Sequence, residues 1–338
     1  MSVIRCTKLA FVVCLGLILS AAPLSCAAAP LPQPRAIFQF HTDEFWLNLH
    51  HFLYVLGRAQ TGEADSKRDA VVHAPGDSEA GLAKLSAAEQ QTWRNTVGFY
   101  AGGLSKMNLI FDEPLSKLTL ALAAAGDAAE LHDDSIDASV AKTLVSVAPI
   151  YRKTWWPAHR GGNVARRDEL QKLVAEHGKQ VLAFITRAYG MQWDQNGYPV
   201  HFSAYANWAG AYSTGGKLLV VSSLDLSLTG ADGLETIFHE GMHQWDDQMI
   251  PLLDGIAKSL NVSVPRNLSH AMIFFTAGEA VRSVFPDHVP YAEHYGVWKR
   301  GWEPLQQALE ETWKPYLDGK GTRDDALRAL LKRCSSIQ

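Results

Sequence analysis

The sequence predicts an α+β chain dominated by helix, on three observations. Long stretches before residue 190 carry apolar residues at three- and four-residue spacing. One block, residues 197–223, "GYPVHFSAYANWAGAYSTGGKLLVVSS", switches to aromatic and β-branched residues punctuated by glycine. Helical spacing then resumes and runs to the C-terminus.

Taken in order, the chain opens with Arg5 and Lys8 ahead of an apolar run from Leu9 to Ala22. That run is too short to span a bilayer comfortably and reads as a signal peptide over 1–28, with cleavage after Ala27 or Ala28. The expectation is a secreted or periplasmic protein. A lipoprotein anchored through Cys26 is the weaker alternative, because Pro23 stands where that signal wants an aliphatic residue. Residues 29–190 are expected to form a helical N-terminal region. Within it, "DEFWLNLHHFLYVLG" (43–57) aligns Phe45, Leu49, Phe52, Leu53 and Leu56 on one stripe. Residues 58–84, rich in Gly, Ala, Asp and Ser, read as a loop. Ser86 and Glu89 make a capping box that opens a helix toward Gly102. Further helices are expected at 114–125, 136–152 and 165–189, the last closed by Gly190.

Strands are expected near 198–205, 208–213 and 217–222, then a helix over 232–249 stopped by Pro251. Helices at 267–284, 302–316 and 322–333 complete the chain. A net charge of −4 without a basic run argues against nucleic acid as a partner. Of the four cysteines, Cys6, Cys14 and Cys26 fall in or beside the signal, which leaves Cys334 and no internal disulfide. The acidic "ELHDDSID" (130–137) lacks the glycine and spacing of a calcium loop and reads as a solvated turn. His50 and His51, in an aromatic helix, read as structural.

The chemistry concentrates in "FHEGMHQW", residues 238–245. On a helix, His239 and His243 lie on one face about 5–6 Å apart and can share one ion. Glu240, about 100° round, can hold a water bound to that ion. Leu234, Phe238, Met242, Trp245 and Met249 form a separate apolar stripe that would anchor the helix. The alternative is a solvated helix face. Two imidazoles do not complete a zinc shell. The candidates for a third ligand are Glu279, Asp246, Asp247, His270 and His288. Asp246 is one turn beyond His243 and too short to reach an ion centred between the histidines. His270 and Glu279 are nine residues apart, about 2.5 helical turns, so they face opposite ways and cannot easily both be ligands. Asp246 and Asp247 could instead orient a ligand histidine.

"HEGMH" resembles the HExxH motif of the zincin metallopeptidases. The glycine and third histidine of a metzincin do not follow in "QWDDQMI", and the aspzincin pattern is absent, so the resemblance is to the gluzincins, covering about residues 197–300. It implies a zincin-like catalytic region over 191–338 and Zn2+ as cofactor. It also implies Glu279 of "FTAGEAV" as third ligand, with Ala277, Gly278 and Ala280 small enough for two helices to approach. The edge strand that pairs with substrate in gluzincins would correspond to "YANWAGAYS" (205–213); the Gly-x-Met-Glu-Asn segment of the aminopeptidase branch is absent. The implied activity is hydrolysis of peptide bonds in a peptide or protein substrate, with Glu240 as general base. Tyr291 and Tyr295 are the first candidates for stabilising the oxyanion, with His288 and His294 behind them. A non-catalytic exported binding protein that retains the fold is the alternative.

Overall fold

The computed structural model describes residues 34–62, 69–207 and 209–336. The expected signal segment, its expected cleavage site and Cys26 lie outside the described residues. The expected architecture is present: a predominantly helical α+β fold with one small mixed sheet.

The sheet has four strands: β1 (Phe38–His41), β2 (Tyr198–Ser203), β3 (Ala211–Thr214) and β4 (Leu218–Ser222). Their order is β1-β2-β4-β3; β1, β2 and β4 run parallel and β3 is antiparallel to β4. The β3–β4 hairpin turns through Gly215 and Gly216, at φ 57° and 60°. Two successive positive φ values are what a type I′ turn requires, and glycine meets them without steric cost.

Strand alternation sends side chains into two separate cores. Phe38, Val200, Phe202, Leu219 and Val221 belong to one; Ala204, Tyr212, Leu218 and Val220 belong to the other. Helix covers both faces, which is why β4 reads as the apolar run LLVV before Ser222. The second core is built from α1 (Phe45–Thr61), α2 (Asp69–Leu82), α3 (Ala87–Gly102), α4 (Glu113–Ala125) and α5 (Ala138–Thr154). The first holds most of α6 (Trp156–Tyr189), then α7 (Gly230–Met242), α8 (Asp246–Leu260) and α9 (Leu268–Arg282). The short α10 (Tyr291–His294), α11 (Glu303–Thr312), α12 (Lys314–Leu317) and α13 (Arg323–Ser335) close that side.

The Ser86–Glu89 capping box forms as expected, and Gly190 caps α6 in the left-handed conformation. Asp133 and Asp137 of the acidic segment accept hydrogen bonds from Ser135 and Ser139 in local turns. Three expectations need correction. Strand β1 was not foreseen; four residues of alternation, FQFH, are too few to stand out. Part of the expected loop 58–84 is α2, despite Pro75 and Gly76 within it. Tertiary contacts hold that helix: Trp155 Nε1 donates to the Asp77 carbonyl and Trp93 Nε1 to Ser78 Oγ, both at 3.0 Å. The helix over 232–249 is two helices, broken by a 3-10 turn at His243–Trp245, and α8 continues through Pro251. The described residues belong to one compact unit. Within it strand β1, from the N-terminal region, pairs with β2.

Candidate metal centre

Helix α7 is anchored by the predicted stripe: Leu234, Phe238 and Met242, with Trp245 and Met249 beyond the break, are all buried. Gly241, inside the HEGMH segment, is needed for that docking, since a Cβ there would lie 2.5 Å from the Trp193 ring. On the strand side, Ser213 of β3 donates from its hydroxyl to the Glu240 carbonyl at 2.6 Å. The edge strand is thus tied to the turn of α7 that carries the motif. Three of its four residues are buried, so pairing with a substrate backbone is not what carries the functional reading.

The histidines converge with a third from α9. His239 Nε2 lies 3.2 Å from His270 Nε2. Ring centroids are 5.4 Å apart for His239 and His243, 5.1 Å for His239 and His270, and 5.0 Å for His243 and His270. One ligating atom from each lies within 4.8 Å of the others. Three imidazoles around a tetrahedral ion, with Zn–N of about 2.0–2.1 Å, would place their centroids about 5 Å apart. The triangle has that size.

The surroundings favour ligation. Burial, with the neighbouring histidines, holds His239 well below its ordinary pKa, and burial takes His270 down to about 4. Both rings are therefore neutral near pH 7, as metal ligands must be. Burial also pulls His243 down, but its hydrogen bond to Asp246 and the Glu240 and Asp246 charges outweigh that and leave it raised. The His243 Nδ1–Asp246 Oδ2 distance is 2.7 Å. Asp246 thereby fixes the ring and leaves Nε2 as the nitrogen that could ligate an ion, as in the carboxylate–histidine arrangement that orients metal ligands. His239 Nδ1 is buried without a hydrogen-bond partner among the described residues. Phe274 packs against His239 at 4.1 Å and stacks on His270 at 4.8 Å, and Trp302 meets His270 edge-on at 5.7 Å. This aromatic wall limits water on one side.

Glu279 is not brought to the cluster. Its carboxylate pairs with Arg282 at 2.8 Å and Lys314 at 3.2 Å. The nine-residue offset explains this: His270, Phe274, Ala277 and Val281 share one stripe of α9, and Glu279 lies on the opposite side. Gly278 has a different use, since a Cβ there would meet Pro290 at 2.6 Å. Tyr291 is buried and stacks at 6.4 Å on Phe274, one ring removed from the histidines. The Tyr295 hydroxyl donates to Asp232 at 3.1 Å, in the first turn of α7. His294 also contacts Asp232, and His288 contacts Glu235, at 2.6 Å. Asp247 is exposed. His270 was a competitor in the sequence; the pattern that would have selected it is His270 and Phe274 one turn apart, ahead of Ala277 and Val281. The hollow lined by Trp46, Leu131, His132 and Arg152 shares no residue with the cluster. No protein-family model, curated protein or solved structure matches this chain.

Proposed function

We propose that the chain is an exported zinc-dependent hydrolase of peptide bonds, with His239, His243 and His270 as ligands and Glu240 as general base. The observation that carries this reading is the convergence of three buried or half-buried imidazoles on the helix turn that bears Glu240. Three protein ligands leave one tetrahedral position open, the mark of a catalytic rather than a closed structural site. Bound zinc would supply a water whose pKa falls toward about 7 and would polarise a carbonyl. The chain's own residues do the rest. Asp246 holds the His243 tautomer, and the Phe274 and Trp302 rings shield the ligands. Glu240, within electrostatic reach of His243, takes the proton of the attacking water and returns it to the leaving nitrogen. Zinc binding alone has no use for such a base, which favours an enzyme over a binding protein.

The test is a peptide-library cleavage assay with and without chelator, on the wild type and on Glu240→Gln. Expected are chelator-sensitive cleavage restored by zinc, and a loss of about 10²–10⁴-fold in the variant with zinc retained. Bound zinc without cleavage of any peptide would favour the binding protein. Near-normal turnover in Glu240→Gln would remove that residue from the mechanism.

A further inference from the structure

A second group of possible ligands lies on the opposite side of the sheet. Strands β1 and β2 end side by side, and His41 and His201 are register partners there. Their rings stack at 4.6 Å, with 9° between planes. Glu44, at the mouth of α1, reaches under them: its Oε1 is 3.3 Å from His201 Nδ1 and 3.6 Å from His41 Nδ1. One ligating atom from each residue lies within 4.8 Å of the others.

The same seam between α1 and the sheet is polar along its length, and deeper in it the groups are paired. Asn48 donates to Glu44 O and Phe202 O and accepts from Ala204 N and Asn163 Nδ2. Asn163 in turn accepts from Ser223 Oγ at 2.6 Å. His51 places one ring nitrogen on Ser203 Oγ and the other on Tyr212 OH. Pairing stops at the outer end. Among the described residues Glu44 Oε2 and His201 Nδ1 have no hydrogen-bond partner, the latter making only the 3.3 Å contact with Glu44 Oε1, although Glu44 is 6% exposed and His201 7%. A buried polar atom left without a hydrogen bond is costly, and both of these belong to the one cluster.

We propose that His41, Glu44 and His201 form a second divalent-cation site, of the zinc class, which clamps β1 and β2 to the start of α1. Two imidazoles and one carboxylate select a borderline transition ion over calcium or magnesium, which take oxygen ligands. His41 would be the adjustable ligand: its side chain is 39% exposed, so its ring has room on the solvent side to turn out of the stack on ligation. The assignment does not rest on the proposed hydrolase activity, nor on the His239 cluster.

The experiment uses the full chain and Zn2+ alone, titrated against a competing chelator. A variant carrying His239→Ala and His243→Ala removes the first cluster. It should still bind one tight equivalent, and zinc should raise its Tm. Adding Glu44→Gln or His41→Ala should weaken that equivalent at least about tenfold, since losing a ligand costs no less than losing a ligand's hydrogen-bond partner, and should abolish the Tm rise. If Glu44→Gln fails to fold, His41→Ala, at the exposed ligand, carries the test. Absence of tight zinc from the His239/His243 variant would overturn the proposal. So would zinc binding that neither added substitution weakens, which would mark surface histidines as its source.

Discussion

The two helical layers on either side of the sheet both bury histidines, and they treat them differently. In the layer of α1 and the first turn of α6, His51 and His159 have both ring nitrogens partnered: His51 by Ser203 and Tyr212, His159 by Tyr151 and Asp77. In the layer of α7 and α9, His239 has one ring nitrogen unpartnered and the other 3.2 Å from a second imidazole. Burial lowers the pKa of His51 and of His239 alike, so burial does not separate them. An unpartnered nitrogen does not separate them either, since buried His50 in the α1 layer also has one; what marks His239 is that its other nitrogen faces a second imidazole.

The contrast predicts separable effects. His51→Ala leaves the Tyr212 and Ser203 hydroxyls short of a partner and opens a cavity, at a cost of about 2–5 kcal/mol. Denaturant unfolding should show that loss, with zinc affinity at the His239 cluster unchanged; a large change in affinity would mean the two layers are coupled.

Next in size is a pH effect confined to the α7 side. Burial holds the Glu235 carboxyl up to about 7, with His288 pulling the other way. The native protein keeps a proton there that the unfolded chain releases near 4.5. This group's contribution is therefore full below that pH and fades as pH rises through 7, by at most about 3 kcal/mol. Unfolding free energies of Glu235→Gln should depend less on pH over this window than those of the wild type. An unchanged slope would show that the proton is not held there.

Smaller again is the effect of Asp246→Asn. It should lower zinc affinity about 10–100-fold and move the stability of the metal-free chain by less than about 1 kcal/mol. A stability loss without an affinity loss would place Asp246 with the structural polar groups of the other layer.

Much of the fold was legible because it follows from local chemistry. The Ser86–Glu89 box, the Gly190 cap and the buried stripe from Leu234 to Met249 are set by residues close in sequence. What was not legible depends on distant partners. Helix α2 is held by Trp93 and Trp155, and β1 exists because β2 pairs with it. The site divides in the same way. His239, Glu240 and His243 share one turn and were read directly. The proposed third ligand, His270, comes from another helix, whose rotation is set by packing. The resemblance supplied a residue type, glutamate, while the stripe of His270, Phe274, Ala277 and Val281 determines which face of α9 meets α7.

Zinc stoichiometry and affinity, measured in parallel for His270→Ala and Glu279→Ala, test the three-histidine centre most directly. The proposed centre predicts that His270→Ala loses tight zinc at the HEGMH cluster. Glu279→Ala, which removes a partner of Arg282 and Lys314, should bind like the wild type. Loss of that zinc in Glu279→Ala, with His270→Ala unaffected, would contradict the centre described here and restore the glutamate as third ligand.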